Sequence, residues 1–525
     1  MIDTTSWAAT DGLGRRVPTF ETVGEKRKNR FVGVFYWTWH ADISRWNKTA
    51  PNNTQILEHA SKTGTEPVWP KEVSYFWNEP VYGYYVTDDK WVLRRQAELL
   101  AAADVDVVIF DNTNETSTWK TSYDVLMETY AEARRDGVKT PQIAFILPFC
   151  GGENTNIQLR ELYNDIYKPE RYKDLWFLWD GKPLIMAHPE GLESCDKEIS
   201  EFFTFKKNVP VYNGGDMSND NWGWLSVYPQ AIYYKDDKTP EQMTVGVAQN
   251  YSKERGLTAM NGVNVFGRTY TSKGYDMQEN AVLYGANFSE QFEYALKVDP
   301  EFIFVTGWNE WVAGRFDQWE GVKNASPDQY NDEFSRDIEP SKGKLKDFYY
   351  YQFVSFVRRF KGAQKPPKAV KKTVDIYGDE AEWTGTAEYY SYTNNIFDRD
   401  HRGWGENYYK DNSGKNDIVR AFAAHDDENL YFSVVTQNEF IPDDEKGKMR
   451  LYIVTDGREY VFDKDSCEHF ISNNSFRIKI PKKLLGIYED SFEVDFKFAD
   501  SCEPDEFYTK GDVAPTGRFY YRYIV

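Results

Sequence analysis

Between residues 31 and 307 the sequence carries eight short β-like runs, at 31–37, 104–110, 143–149, 183–187, 202–206, 223–228, 243–247 and 302–307. The segments between several of them have helical spacing: Asp89 to Ala103 places apolar residues at 91, 92, 99 and 100 with charges between, and 121–136 and 282–297 are also amphipathic. A chain that keeps alternating buried strands with amphipathic helices has few folds open to it. The pattern predicts an α/β fold, a (β/α)8 TIM barrel, with Phe348 to Phe360 as the closing helix. Residues 208–242, rich in Gly, Asn, Asp and aromatic residues, read largely as active-site loop.

The basic, Pro-containing stretch from Lys361 to Lys372 lacks hydrophobic periodicity and reads as a linker. Beyond it, alternating segments at 430–435, 450–454 and 492–498 are separated by Asp/Asn/Gly turns, which predicts a C-terminal antiparallel β-sandwich. The expected organisation is a catalytic barrel with an N-terminal extension over 1–360, a linker over 361–372 and a sandwich over 373–525. A chain of 525 residues, too long for one ordinary core, fits that division.

The balance of 63 basic against 83 acidic residues, a net charge of −20, disfavours nucleic-acid and anionic-membrane partners. No stretch approaches the run of about 18 apolar residues that membrane insertion requires. With 17 Trp, 37 Tyr and 34 Phe, the chain has rings to spare for binding a neutral ligand such as a saccharide. Met1 to Arg30 has no apolar h-region, so no signal peptide is visible; a secreted, periplasmic or cell-surface location of a mature form stays open. The four cysteines, at 150, 195, 467 and 502, show no zinc-ligand spacing. Cys467 and Cys502 are the pair a bridge within the C-terminal region would use. The acids after Trp311 lack regular calcium-loop spacing, so neither a metal nor a cofactor is expected.

The last β-like run leads directly into Trp308-Asn309-Glu310-Trp311. In parallel barrels catalytic side chains sit where strands finish. Two indoles around an amide and a carboxylate predict a sugar platform, the rings stacking on C–H faces while Asn and Glu fix the hydroxyls. Other strand ends supply polar or aromatic residues, and the expected substrate-binding set is Tyr36, Trp37, Trp39, His40, Asn112, His188, Trp308, Asn309 and Trp311. Structural duties compete with these roles: Glu310 paired with an Arg at the rim, Asp111 capping the next segment, His40 or His188 holding a neighbour. Glycoside cleavage uses two carboxyl groups. Partners for Glu310 are sought in Asp111, in Glu79 and in the loop acids Asp317, Glu320, Asp328, Asp332, Glu333, Asp337 and Glu339, most of which are expected to be solvated.

At Trp308-Asn309-Glu310-Trp311, with Gly314 following and Ile338-Glu339-Pro340 further on, the chain resembles the glycoside hydrolase family 99-like group of endo-α-mannosidases, endo-α-mannanases and WbsX-type proteins. Pro80-Val81-Tyr82-Gly83-Tyr84-Tyr85, Asp88-Asp89-Lys90-Trp91 and Val107-Val108-Ile109-Phe110-Asp111 extend the resemblance over roughly residues 30 to 361. It implies a (β/α)8 barrel and a retaining attack on an α-mannoside-type linkage. The first Glu of the family's Asn-Glu-Trp-His-Glu run acts there as a base on the substrate 2-hydroxyl and the second as acid/base. Glu310 matches the first, and Ala313 stands where the second belongs. The insertion between Gly314 and Ile338 offers substitutes, of which Glu333 and Asp337 lie closest to the rejoining point, so the expected catalytic set is Glu310, Glu333, Asp337 and Asp111.

Residues 408–418 and Asn429-Leu430-Tyr431-Phe432 resemble family 9 carbohydrate-binding modules. Trp383, Trp404, Tyr408 and Tyr409 then either stack on sugar or pack the sandwich and its contact with the barrel, and Asp417 either orders a loop or binds Ca²⁺. The leading expectation is a glycoside hydrolase of an α-linked polysaccharide or oligosaccharide. Its rivals are a noncatalytic glycan-binding protein derived from a hydrolase and a conventional two-carboxylate glycosidase on the same barrel.

Overall fold

The computed structural model describes residues 1–40, 51–192, 196–212, 217–501, 503 and 506–525. Cys195 and Cys502 lie outside them, and with Cys502 the expected pairing to Cys467.

Eight parallel strands form a nearly closed barrel sheet: β1 (Phe31–Tyr36), β2 (Val107–Asp111), β3 (Gln142–Ile146), β4 (Lys182–Met186), β5 (Thr204–Val209), β6 (Asn221–Gly223), β7 (Pro240–Gly246) and β8 (Phe302–Thr306). Parallel ladders join β1 through β6 in order, and β7 to β8 and β8 back to β1. Between β6 and β7 a side-chain amide replaces the ladder: Gln242 accepts from the Gly223 N–H and donates to the Gly223 carbonyl, both at 3.0 Å.

Strand parity sorts the residues. Phe35, Val107, Ile109, Phe302 and Phe304 pack in the barrel interior, whereas Val32, Val34, Tyr36, Val108 and Phe110 join the cluster shared with the helices. Gly33 leaves room inside, since a Cβ there would stand 2.6 Å from the Phe302 ring.

The helices are α1 (Asn53–Thr63), α2 (Lys90–Ala102), α3 (Lys120–Arg135), α4 (Glu153–Leu162), α5 (Lys197–Phe202), α6 (Ala286–Val298) and α7 (Phe348–Lys361). Asp89 caps α2 by accepting from the N–H groups of Trp91 and Val92. The amphipathic segments predicted near 89–103, 121–136, 282–297 and 348–360 correspond to α2, α3, α6 and α7. The fifth to seventh runs are displaced. Phe202 belongs to α5, so β5 starts at 204; β6 ends at Gly223, before the predicted 223–228 run is under way; β7 begins at 240 rather than 243. Among the described residues no helix separates β5 from β6 or β6 from β7, which removes the periodicity that would have located these strands.

The C-terminal part contains two antiparallel sheets. One orders Ala387–Tyr390, Ile418–His425, Asn429–Thr436, Ser475–Pro481 and Glu468–Ser472; the other contains Phe519–Ile524, Glu493–Ser501, Lys448–Thr455 and Arg458–Phe462. Phe496 packs between them against Phe432 and Tyr389. Ala8–Ala9 pairs with Phe519 and Tyr520, so the N-terminal segment adds a rung to the second sheet. Residues of the predicted linker lie along the surface: Ala363 bonds to the Gly24 carbonyl and Lys372 to that of His425.

A hairpin of Arg399–Arg402 and Tyr408–Asp411 braces the barrel. Arg399 ion-pairs with Asp89 at 2.7 Å and lies over the Tyr409 ring, whose hydroxyl accepts from the Tyr84 N–H. Trp404 packs on Phe76 and Trp311 and donates to Ser74. Trp404 and Tyr409 therefore serve the contact with the barrel. Asp417 accepts from the Asn394 N–H and orders that loop.

Candidate active site

The segment after β8 folds back along the barrel rim. The Gly307 N–H donates to the Arg336 carbonyl, and those of Ile338 and Glu339 to the Trp308 carbonyl, which brings residues 336–339 beside Glu310 despite 25 intervening positions. Glycine at 307 eases this approach: a Cβ on it would stand 3.1 Å from Asp337 Oδ1, a tight contact.

Four acids meet there around one cation. The Arg336 guanidinium is buried, ion-paired through Nη2 to Asp328 at 2.8 Å and to Glu310 at 3.7 Å, and Nη1 donates to Asn250 Oδ1. The Gln329 amide donates to Glu310 Oε2 at 3.1 Å and to Asp337 Oδ2 at 2.7 Å, while its oxygen accepts from the Arg336 N–H. Asp111, at the end of β2, accepts from the N–H and hydroxyl of Thr113. Exposure divides the acids: the Asp328 side chain is 43% exposed and that of Glu310 13%, whereas Asp111 and Asp337 are each buried to 4%.

Arg336, even with the added field of Arg268, whose Nη2 donates to the Asp337 carbonyl at 2.7 Å, cannot balance four carboxylates. Burial, then the charge of Asp328, pushes the Glu310 carboxyl well above its ordinary range, although Arg336 pulls the other way. Burial likewise raises Asp337 to about 6 and Asp111 to about 6. Glu310, Asp337 and Asp111 therefore take up protons at higher pH than ordinary carboxyls.

Indoles flank the cluster, Trp37 buried and Trp39, Trp119 and Trp224 partly exposed. Trp37, Trp39 and Trp119 form a stacked row with centroids 5.5 and 5.1 Å apart, anchored by Trp39 Nε1 donating to the Asp111 carbonyl. Trp224 stands beneath the Arg336 guanidinium, against Phe149 and Phe35.

Several expected site residues are elsewhere. Trp308 is 0% exposed and lies against Tyr350 of α7; Trp311 is 2% exposed, enclosed by His40, Phe76 and Tyr84. The indoles adjacent to Glu310 in sequence are core residues and offer no ring face to a sugar. Both hydrogen-bonding ends of the Asn309 amide engage the Trp37 backbone, at 2.8 and 3.2 Å, so it ties β8 to β1. Tyr36 points by parity into the helix layer, donating to Gln96. Asn112 is buried and donates to the Ser117 carbonyl. His40 is buried between Trp37 and Trp311, and that burial lowers its pKa well below the ordinary value. His188 follows β4 and contacts the Asn208 carbonyl.

Glu333 is bound to the N–H and hydroxyl of Thr269 and lies over Gly267, where no Cβ would fit. It orders the loop before α6 and shares no partner with Glu310. Ala313 is buried under Tyr75, its N–H donating to the Tyr75 carbonyl. Of the expected catalytic set, the structure brings together Glu310, Asp337 and Asp111. The sequence reading missed Arg336, Gln329, Trp119 and Trp224, and took Asp328 as one surface acid among many. A signal for Arg336 was present in Asp332-Glu333-Phe334-Ser335-Arg336-Asp337, a cation among closely spaced acids at the end of the insertion.

Neither a family model nor a curated protein matches the chain. Among solved structures, the GH99 endo-α-mannosidase from Bacteroides thetaiotaomicron is similar at 13% identity and a TM-score of 0.38, over 63% of this chain and 97% of that one. Its complex with bis-tris-propane gives 15% and 0.35 over the same shares. A glycoside hydrolase-like protein gives 13% and 0.33, over 67% of this chain and 98% of that one. Superposition at such scores is loose, so the chemistry has to be read from this chain's own side chains.

Proposed function

We propose that this chain is a glycoside hydrolase, its barrel a (β/α)8 scaffold, cleaving an α-linked polysaccharide or oligosaccharide with retention. The observation that carries the reading is the pairing of unlike carboxyl groups at the rim. Glu310 holds its proton because it is buried among acids, whereas Asp328, more open to solvent, is ion-paired to Arg336. A protonated acid beside an ion-paired carboxylate is what glycoside cleavage needs: Glu310 protonates the leaving oxygen and Asp328 meets the oxocarbenium-like centre. Arg336 Nη2 contacts both, which caps their separation at about 6.5 Å, below most of the span that inverting enzymes keep open for water. Asp337 and Asp111 keep the local field negative, Gln329 fixes Glu310, and the Trp37, Trp39 and Trp119 row supplies ring faces for pyranose C–H groups. The α-mannoside preference rests on the motif resemblance alone.

Wild-type protein incubated with α-mannans, α-glucans and host-type glycans should release products that Glu310→Gln does not. Binding of a glycan without any product would instead support the noncatalytic reading, which the buried Ala313 favours. With 2-deoxy substrates, loss of turnover would move Glu310 to the role of base on the 2-hydroxyl; retained turnover supports the acid role assigned here.

A further inference from the structure

The outer face of the five-stranded sheet holds a concavity of about 320 Å³ that has no part in the barrel chemistry. Glu388, Phe422, Ser433 and Arg477 are direct register neighbours across four strands and form its floor. The turn Glu380–Trp383 and the residues after it form a wall, with the Trp383 ring tilted 45° to that of Phe422.

Arg477 is 1% exposed. Its Nη1 donates to the carbonyls of Ile376 and Gly378, and its Nε to Ser475 Oγ at 3.1 Å. Among the described residues Nη2 has no hydrogen-bond partner and no carboxylate closes an ion pair with it. Burial lowers its pKa, with Glu380 and Asp379 only partly opposing. The Trp383 Nε1–H is also buried without an acceptor. The other arginine of this face, Arg420, is paired to Glu388 at 3.3 Å and half exposed.

A buried guanidinium held rigid on one side and open on the other costs free energy until an anion meets it, and its planar fork suits a carboxylate. A chain of net charge −20 has no general reason to keep such a cation unpaired. The pocket volume suits a single sugar ring, and Trp383 and Phe422 offer apolar surface while Thr384, Thr386 and Ser433 supply hydroxyls. We propose that this pocket binds a carboxylate-bearing sugar, a uronate residue of a glycan, with the carboxylate on Arg477 and the ring against Trp383 and Phe422. The site is independent of the hydrolase reading and stands whether or not the barrel turns over substrate.

The test is calorimetric titration of the full chain carrying Glu310→Gln, so that no probe is consumed. Methyl glucuronide, galacturonide and mannuronide are compared with the matching neutral methyl glycosides and with acetate. At least one uronide should bind tenfold or more tightly than its neutral counterpart and than acetate, and Arg477→Met should weaken it tenfold or more. Equal binding of the neutral glycoside, equal binding of acetate, or no uronide binding would each overturn the assignment. If Arg477→Met lowers the melting temperature enough to confuse the result, Ser433→Leu, which fills the floor from the next strand, decides. Unchanged uronide affinity in that variant overturns the proposal, and its loss with the melting temperature retained supports it.

Discussion

Arg336 and Arg477 are both nearly fully buried, yet their surroundings are opposite. Arg336 is the cation of a cluster with Glu310, Asp328, Asp337 and Asp111; Arg477 is held by carbonyls and a hydroxyl, with no carboxylate in ion-pair contact. At the barrel rim the excess is negative and unsatisfied as protons, which suits proton donation. In the Arg477 pocket the unmet group is a positive one, which suits anion capture. A buried arginine thus defines a site only through the charges that do or do not answer it.

The largest effect should come from Glu310, the more weakly held of the two carboxyls that Arg336 ion-pairs. Glu310→Gln should reduce kcat by about 10²-fold or more, measured as product release, while glycan affinity survives. Its stability should move the other way. The folded pKa of Glu310 lies above the unfolded value, so the native state binds the extra proton and wild-type stability falls as pH rises from the unfolded pKa through the folded one. Glu310→Gln should therefore match or exceed wild type in urea melts at pH 7–8 and lose that advantage below about pH 4.

Arg336→Met tests the comparison directly. Removing the cation that ion-pairs Glu310 and Asp328 should cost about 3–5 kcal/mol at pH 7. The loss should shrink by pH 5, as Asp337 and Asp111, both raised to about 6, take up protons. Arg477→Met leaves no stranded carboxylate and should cost about 1–2 kcal/mol, nearly constant over the same range. Parallel pH slopes for the two variants would break the contrast.

The legibility of the sequence follows the same division. Barrel strands β1 to β4 and β8 were readable because each is a continuous apolar run followed by helical spacing or a polar strand end. β5 to β7 were obscured because side-chain devices such as the Gln242–Gly223 bridge and intervening loops do the work that helices do elsewhere. Glu310 was legible as a strand-end acid. The roles of Trp308 and Trp311 were not, because adjacency in sequence says nothing of which face an indole takes after the chain leaves the strand. Arg336 and Gln329 come to Glu310 through the backbone bonds of residues 307–308 with 336–339, a long-range register without a local pattern.

Glu333 marks the edge of the cluster. Because it serves Thr269 and Gly267 rather than Glu310, Glu333→Gln should leave kcat within about twofold of wild type and cost about 1 kcal/mol in thermal or urea melts. A loss of activity comparable to that of Glu310→Gln, with stability unchanged, would extend the cluster to Glu333 and undo the distinction.

The smallest effect on activity should come from Glu339, which lies behind the site. Its carboxyl accepts from Tyr85 and from Gln96, and Tyr85 in turn accepts from Asn309, the amide that fixes β8 to β1. Burial raises Glu339 to about 8, so at pH 7 the group is largely a neutral acid, which a Gln replaces in shape and charge. Glu339→Gln should stay within about 0.5 kcal/mol of wild type at about pH 4–5, where the carboxyl is protonated in both folded and unfolded chains, and should retain activity. From about pH 4.5 to about pH 8 the two should separate: the unfolded chain ionises this carboxyl while the native state keeps its proton, so wild-type stability declines relative to the variant and levels off once the folded group ionises. Parallel stability curves from about pH 5 to pH 8 would mean that Glu339 is already ionised at neutrality. The negative excess that distinguishes the barrel site from the Arg477 pocket would then reach deeper than the rim.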